Sequence, residues 1–453
     1  MLSAQRIRAK RSEASPKGTH NARLYVFLIF GFLILNFTGC ASKATSRTTT
    51  TLNIWHWMTD RESAFQELAK RYETKTGIKV NFELYAPSDA YTQKIRAAAQ
   101  GATLPDIFGI LAEMRDFSSF IKAGHILDLT PYMEESDGEW KNKFFSKALA
   151  VNEFPVGNTY NVKPGIYGVP IDIMTIEMLY NKDSFKKLGL NPEHPPETFQ
   201  EFLDIGSKIK AANMQGLVSG WGEMWMIDCL ANNYAFNIMG KDKVLATIKG
   251  EVSYADPDWV RVFSLFKDMQ DSGVLSSGIV TMINKTAEQL FANDRAVFAF
   301  NGSWCINVYK GMNPNLNYGA MLPPKVSDKY PMAIWGGAGS SFMVNPHSKN
   351  KEEAVKFLKW LTDKEQQVYL AEATKNLPAN KESLENIPEI LSQFSGDMDN
   401  ATHPNTWGIS EFSQVIEAFD KGIQSIIIGE KTPDEVAKEV QKIKERELKK
   451  RLR

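Results

Sequence analysis

Cysteine is scarce in this chain: three residues in 453, at positions 40, 229 and 305. So low a count excludes a disulfide framework, and Cys229 and Cys305 are expected as buried free thiols. Net charge is missing as well. Lys+Arg and Asp+Glu balance at 53 each, so no global field draws in nucleic acid or an anionic surface. The six histidines are dispersed without metal-ligand spacing, no HExxH occurs, and no metal site is expected. There is no GxxxxGK[ST] phosphate loop and no GxSxG elbow. Gly336, Gly337 and Gly339 look like a dinucleotide loop only superficially, because residues 341–345 read as a strand where such a loop needs a helix. Carboxylate pairs for glycoside hydrolysis can always be imagined among 53 acids, so they carry no weight. The chain is expected to hold no catalytic centre and no cofactor.

One apolar run is long, residues 24–37. Upstream lies an acid-poor stretch carrying Arg6, Arg8, Lys10, Arg11, Lys17 and Arg23; downstream come Thr38-Gly39 and then Cys40. A basic region, a short apolar run and small residues before a cut describe an export signal, and the run is short of the about 17–25 residues that span a bilayer. The cysteine at the cut resembles the lipobox of bacterial lipoproteins, with Phe37 where Leu is usual. That resemblance implies cleavage after residue 39 and a lipid (diacylglycerol and palmitate chemistry) on Cys40. Residues 40–51, rich in Ser and Thr, read as a flexible tether. The rest is expected as a globular body held at the cell envelope, in the periplasm or on the outer face of the cell membrane.

Past the tether the pattern alternates. Residues 52–57 (LNIWHW) read as a strand, with Thr59 and Glu62 at capping-box spacing. A helix follows with Phe65, Leu68, Ala69 and Tyr72 on one face, closed by Gly77. A strand at 78–84, a helix ended by Gly101 and an apolar strand at 107–111 complete a doubly wound α/β beginning. Residues 167–180 (YGVPIDIMTIEMLY) are long, extended and β-branched, as suits a strand passing from one domain to the next. Thr198 precedes a helix bearing Phe199, Phe202 and Ile209. Short strands are read near 296–301, 318–322 and 341–345, with Trp335-Gly336-Gly337 as a turn between the last two.

Tryptophan is plentiful, 10 residues, and falls at apparent element ends. Trp57 closes the first strand, Trp221 and Trp225 bracket a Gly/Glu turn, Trp304 follows Asn301-Gly302-Ser303, Trp335 precedes two glycines, and Trp407 follows Pro404-Asn405. A flat indole covers the C–H face of a sugar, and carboxylates and amides bond its hydroxyl rim. A shared cleft explains this placement better than a scatter of core indoles.

From residue 52 onward the chain resembles the extracellular solute-binding proteins of bacterial ABC importers, in the branch that takes sugars and oligosaccharides. The resemblance is carried by LNIWHW, TGIKVNFE, LPDIFGI, YGVPIDIMTIEMLYNKDSF, FANDRAVFAFNGSW, WGGAGSSFMVNPHSKNKEEAVKFLKWLTDKEQQ and TPDEVAKEVQK, in order across nearly the whole body. It implies an α/β fold of two discontinuous lobes about a hinge, 52–171 with 330–375 and 172–329 with 376–453, and ligand between them. For the ligand site it implies Trp57, Asp60, Glu113, the hinge acid Asp172, Asn301, Trp304, Trp335, Gly336, Gly337 and Trp407, with Trp221 and Trp225 not separable. It further implies a monomer that closes on a sugar and docks on permease subunits. The readings set against it are a lipid-anchored glycan-acting enzyme, a sensory or adhesive lipoprotein, and a binding protein for glycerol phosphate, polyamine or iron.

Overall fold

Alternation builds the first strand. In β1 (Thr51–His56) Leu52, Ile54 and His56 are buried and the residues between them half-buried, the period-two pattern of a strand with one face in the core. The computed structural model describes residues 50–451 except 87, 111–113, 385–388 and 397–399, so Cys40 and its leader lie outside the described residues. The helix Glu62–Thr76 buries Phe65, Leu68, Ala69 and Tyr72, and ends where Gly77, at φ 76°, donates its N–H to the Glu73 carbonyl. Its start departs from the expected capping box: Thr59–Arg61 form a single 3-10 turn with no side-chain cap, and Arg61 turns inward and is buried. A capping box is instead formed by Thr198 and Glu201, which open the helix Phe199–Ala211.

The remaining strands are β2 (Lys79–Leu84), β3 (Ile107–Gly109), β4 (Glu153–Phe154), β5 (Gly165–Ile166), β6 (Val169–Asn181), β7 (Gln215–Val218), β8 (Ala296–Gly302), β9 (Tyr318–Met321), β10 (Ile334–Val344), β11 (Leu377–Pro378) and β12 (Ala401–Thr402). One mixed sheet runs in the order β2-β1-β3-β10-β6-β8-β7, with β9 and β11 also paired to β6, β12 to β10, and β4 with β5 apart. The parallel pairs β1/β2, β1/β3 and β7/β8 lie at its two ends, and the antiparallel strands β10 and β6 join them. β6 pairs with β10 from Val169 to Ile176 and with β8 from Ile176 to Tyr180. At 13 residues it is about 43 Å long, enough to serve both lobes. Every residue of β6 is buried except Met174, which is half-buried, as befits a central strand covered on both faces.

The expected turn at Trp335-Gly336-Gly337 is instead the start of β10. These glycines answer to close neighbours and not to chain reversal. A Cβ at Gly336 would stand 3.0 Å from the Met174 carbonyl oxygen, at Gly337 2.8 Å from Val151 Cγ2, and at Gly339 2.8 Å from Asp172 Oδ1. One apolar cluster gathers Leu52, Ile54, Phe65, Phe82, Phe342 and Phe357; another gathers Met178, Trp221, Tyr234, Trp259, Phe263 and Phe298. Cys229 and Cys305 are buried and free. Among the described residues no helix is long and apolar enough to cross a membrane, and no His, Cys, Asp and Glu gather as a metal site.

Candidate functional site

A cavity of about 300 Å³ opens between the segment after β1 and the segment after β8. Its walls come from the segment 57–61 after β1 and from Trp304, Asn307 and Val308 after β8; its floor comes from residues 172–174 of β6, Gly339 and Ser340 of β10, and Asn376. Both walls follow the carboxyl ends of strands, where open α/β sheets bind ligands. Met174, the half-buried position in β6, faces this space.

The indoles are seated by neighbours that fit them closely. A Cβ at Gly109 would fall 2.4 Å from Trp57 Cζ3, so the ring lies against bare backbone. Tyr91 packs beside Trp57 with centroids 5.3 Å apart, and its hydroxyl donates to the Gly109 carbonyl at 2.8 Å and accepts the Gly109 N–H at 3.1 Å. Burial pushes the Tyr91 phenol far above its ordinary range.

At the floor the charges are tied to one another. Arg61 Nη2 lies 2.5 Å from Asp172 Oδ2, Nη1 donates to Ser340 Oγ at 2.6 Å, and Nε lies 3.3 Å from Asp60 Oδ2. Asp172 Oδ1 accepts the Ser340 N–H at 2.7 Å and its hydroxyl at 2.8 Å. Asn376 Nδ2 donates to Asp60 Oδ2 at 3.1 Å. Burial raises the Asp172 carboxyl above its usual value, against the opposing pull of Arg61 and the two Ser340 donors. The network ties the segment after β1 to both crossing strands, at the point where the β6/β10 register is irregular.

Of the residues singled out in the sequence, Trp57, Asp60, Asp172 and Trp304 line this cavity. Trp225 is 41 % exposed and its ring centroid lies 6.1 Å from that of Trp304. Trp221 is 0 % exposed and packs on Phe266 in the core: the turn between them sends one indole inward and leaves the other outside. Asn301 is also turned away from the cavity, donating to Glu288 and to the Tyr309 hydroxyl, both at 3.3 Å. Gly336 and Gly337 are buried in β10 and do not line the cavity. Trp335 and Trp407 form a separate aromatic group, 6.4 Å apart, with His403 5.7 Å from Trp335 and Phe236 5.5 Å from Trp407. Trp407 Nε1 donates to Thr402 Oγ1 at 2.7 Å. This group flanks the cavity, Trp335 being four residues, about 13 Å, along β10 from Gly339. Glu113 lies outside the described residues. Sequence reasoning missed Arg61, Met58, Ser340 and Asn376 as lining residues. The Asp60-Arg61 pair, three residues past Trp57, was a usable signal; Asn376 gave none, since its partner Asp60 is 316 residues away in the chain.

The chain is similar to known proteins over most of its length. A putative binding protein of Brucella abortus is 26 % identical over 397 residues, covering 83 % of this chain and 87 % of the relative. The sn-glycerol-3-phosphate-binding periplasmic protein of Escherichia coli (strain K12) is 27 % identical over 284 residues, 59 % of this chain and 63 % of that one. A solved chitin oligosaccharide binding protein superposes with a TM-score of 0.71 at 21 % identity, over 88 % of this chain and 98 % of that one. A family profile matches residues 67–394, and by that match the chain belongs to the bacterial extracellular solute-binding proteins.

Proposed function

We propose that the cavity takes a neutral sugar or short oligosaccharide, and that the protein delivers it to the permease of an ABC importer. The observation that carries this reading is the state of Arg61. It is the one cation lining the cavity among the described residues, and it is committed to Asp172, Ser340 and Asp60. A phosphate ester is best held by an uncommitted cation, and the two carboxylates here repel it. A neutral polyol fits better: Trp57 and Trp304 offer faces for its C–H groups, and Asp60, Asn376 and Asn307 offer bonding partners for its hydroxyls. The name of the solved oligosaccharide-binding neighbour points the same way, and that of the E. coli relative points to glycerol phosphate.

Ligand held by both lobes favours their closure, because only the closed form makes every contact. In this reading the lobes are 52–171 with 330–375 and 172–329 with 376–453, they turn about β6 and β10, and the closed form docks on the permease. Lipid on Cys40, with 40–51 as tether, keeps the receptor near the membrane. Thermal melting against neutral mono- and oligosaccharides and against glycerol 3-phosphate tests the ligand class. A ligand at 100 times its Kd stabilises the folded state by about 2.7 kcal/mol. Stabilisation by glycerol 3-phosphate with none by any neutral sugar would sink the reading.

A further inference from the structure

Two segments far apart in the chain meet at a seam open to water. The loop 155–162 follows β4, and the segment 403–410 follows β12. Thr159 Oγ1 donates to the Gly408 carbonyl at 2.8 Å, and the Thr159 N–H points at the same oxygen from 3.5 Å. Beside it the hydroxyls of Tyr160 and Ser410 are hydrogen-bonded to each other. The side-chain bonds join residues 249 and 250 positions apart, so neither follows from local turn formation.

Each side of the seam is built within its own part of the molecule. Asn158 pins the loop from inside: its Nδ2 donates to the Pro155 carbonyl at 2.9 Å and to the Val162 carbonyl at 2.8 Å, and its Oδ1 accepts the Val162 N–H at 3.2 Å. Tyr160 stands edge-on to Phe154, centroids 5.9 Å apart, against an apolar cluster that also holds Tyr91 and Phe117. Across the seam Ile409 is buried with Val415 and Phe419 in the cluster of Met178 and Trp221, and Trp407 packs against it. Gly408 turns the chain there at φ 71°. The loop thus belongs to one core and the segment to another. The hydrogen bonds that cross between them are neutral and lie at exposed or half-buried residues. Such bonds add little each, so the seam can part without unpacking either core.

We propose that Thr159 and Tyr160, with Gly408 and Ser410, form a clasp that holds the two lobes shut and slows the release of bound sugar. The inference rests on the reading in which the lobes close on a sugar about β6 and β10, and it goes beyond that reading by assigning the bonds that oppose reopening. Closure has to outlast capture and still be reversible. A few neutral hydrogen bonds in contact with water meet both demands, where a buried apolar seam would resist opening. None of the four residues lines the cavity, so the clasp acts on the opening step and not on the contacts with the sugar.

The test combines Thr159→Val with Tyr160→Phe, which keep the bulk of both side chains and remove only the hydroxyls. In the sugar-free protein, small-angle X-ray scattering should give the double variant a larger radius of gyration than the unaltered protein, with nearly the same melting temperature. Equal radii overturn the proposal, and this measurement needs no ligand. Stopped-flow release of whichever of raffinose, chitotriose and xylotriose the unaltered protein binds should be about threefold faster or more in the double variant, with association changed by less than about twofold. Ser410→Ala alone should speed release by less. An unchanged release rate overturns the proposal as well, and so does a fall in melting temperature with radius and release unaltered, which would make the contact a surface brace. If the double variant does not fold, Tyr160→Phe alone decides on the same readings. Failure of the unaltered protein to bind any of the three sugars would defeat the proposed ligand class instead, and the scattering result would still decide the clasp.

Discussion

Arg61–Asp172 and Lys444–Glu411 are both buried ion pairs, yet their surroundings are opposite. Lys444 is sealed: it lies 2.7 Å from Glu411 Oε1, donates to the Ile248 carbonyl at 2.5 Å and sits 5.1 Å over the Phe412 ring. Glu411 Oε2 also accepts the Tyr254 hydroxyl at 2.9 Å, and burial pushes that phenol far up. This cluster does not line the cavity walled by the segments after β1 and β8; it clasps the C-terminal helix Pro433–Arg451 to the body. Arg61 and Asp172 are as tightly joined but form the floor of a cavity, where water or ligand can answer whatever the pair leaves unmet. The same chemistry is therefore sealed in the body in one place and borders a cavity, the proposed ligand site, in the other.

The comparison breaks most readily on the sealed side. Lys444→Ala leaves Glu411 buried without its cation and should lower stability by about 3–5 kcal/mol, with sugar affinity unchanged; chemical denaturation and calorimetry measure the two. Asp420, beside the same apolar cluster, sharpens the same point. Burial first, and then the charge of Asp228, push its carboxyl up to about 9. The folded state thus binds a proton that the unfolded state has released. Stability from this group is intact below the unfolded value near pH 4 and falls as pH rises toward 9, with a slope of at most about 1.4 kcal/mol per pH unit. Asp420→Asn should flatten that decline; melting curves from pH 5 to 9 that superpose for both proteins would rule the assignment out.

On the open side the effects should appear in binding. Asp172→Asn should weaken ligand by about 1.5–3 kcal/mol, the range of a charged hydrogen bond, with a smaller loss of stability than Lys444→Ala. If the two variants lose equal stability, the distinction between them is wrong. Trp304→Ala should cost more than tenfold in affinity, about 1.4 kcal/mol, and leave the apo melting temperature nearly unchanged. A large drop in melting temperature with unaltered affinity would make Trp304 a core residue.

How far the sequence could be read follows from what each residue answers to. β6 was visible because YGVPIDIMTIEMLY is long and rich in β-branched residues, although Asp172, Thr175 and Glu177 interrupt its apolar run. Gly77 and Thr198 were visible because caps are local. The Trp335-Gly336-Gly337 stretch was misread because glycine signals either a turn or a close neighbour, and here the neighbours, Met174 and Val151, come from distant chain segments. Trp221 and Trp225 could not be separated for a related reason: the backbone between them is set by Met224 at φ 64°, an unusual conformation for a side-chain-bearing residue, and by packing of Gly220 and Gly222 against residues 281–284. Arg61 was overlooked because a charged residue at a helix start reads as solvated until its partners, Asp172 and Ser340, are in place.

β6 has a further consequence for how the molecule comes apart. Because a single strand pairs with β10 along one half and with β8 and β9 along the other, melting either lobe strips hydrogen bonds from a strand on which the other lobe is built. Independent domains joined by a loop often give separate heat-absorption peaks; here a single cooperative transition is expected in scanning calorimetry. A fragment cut at residue 171 would keep three residues of β6 and lose β10, the neighbour of β3. It would end in an unpaired sheet edge, a template for aggregation.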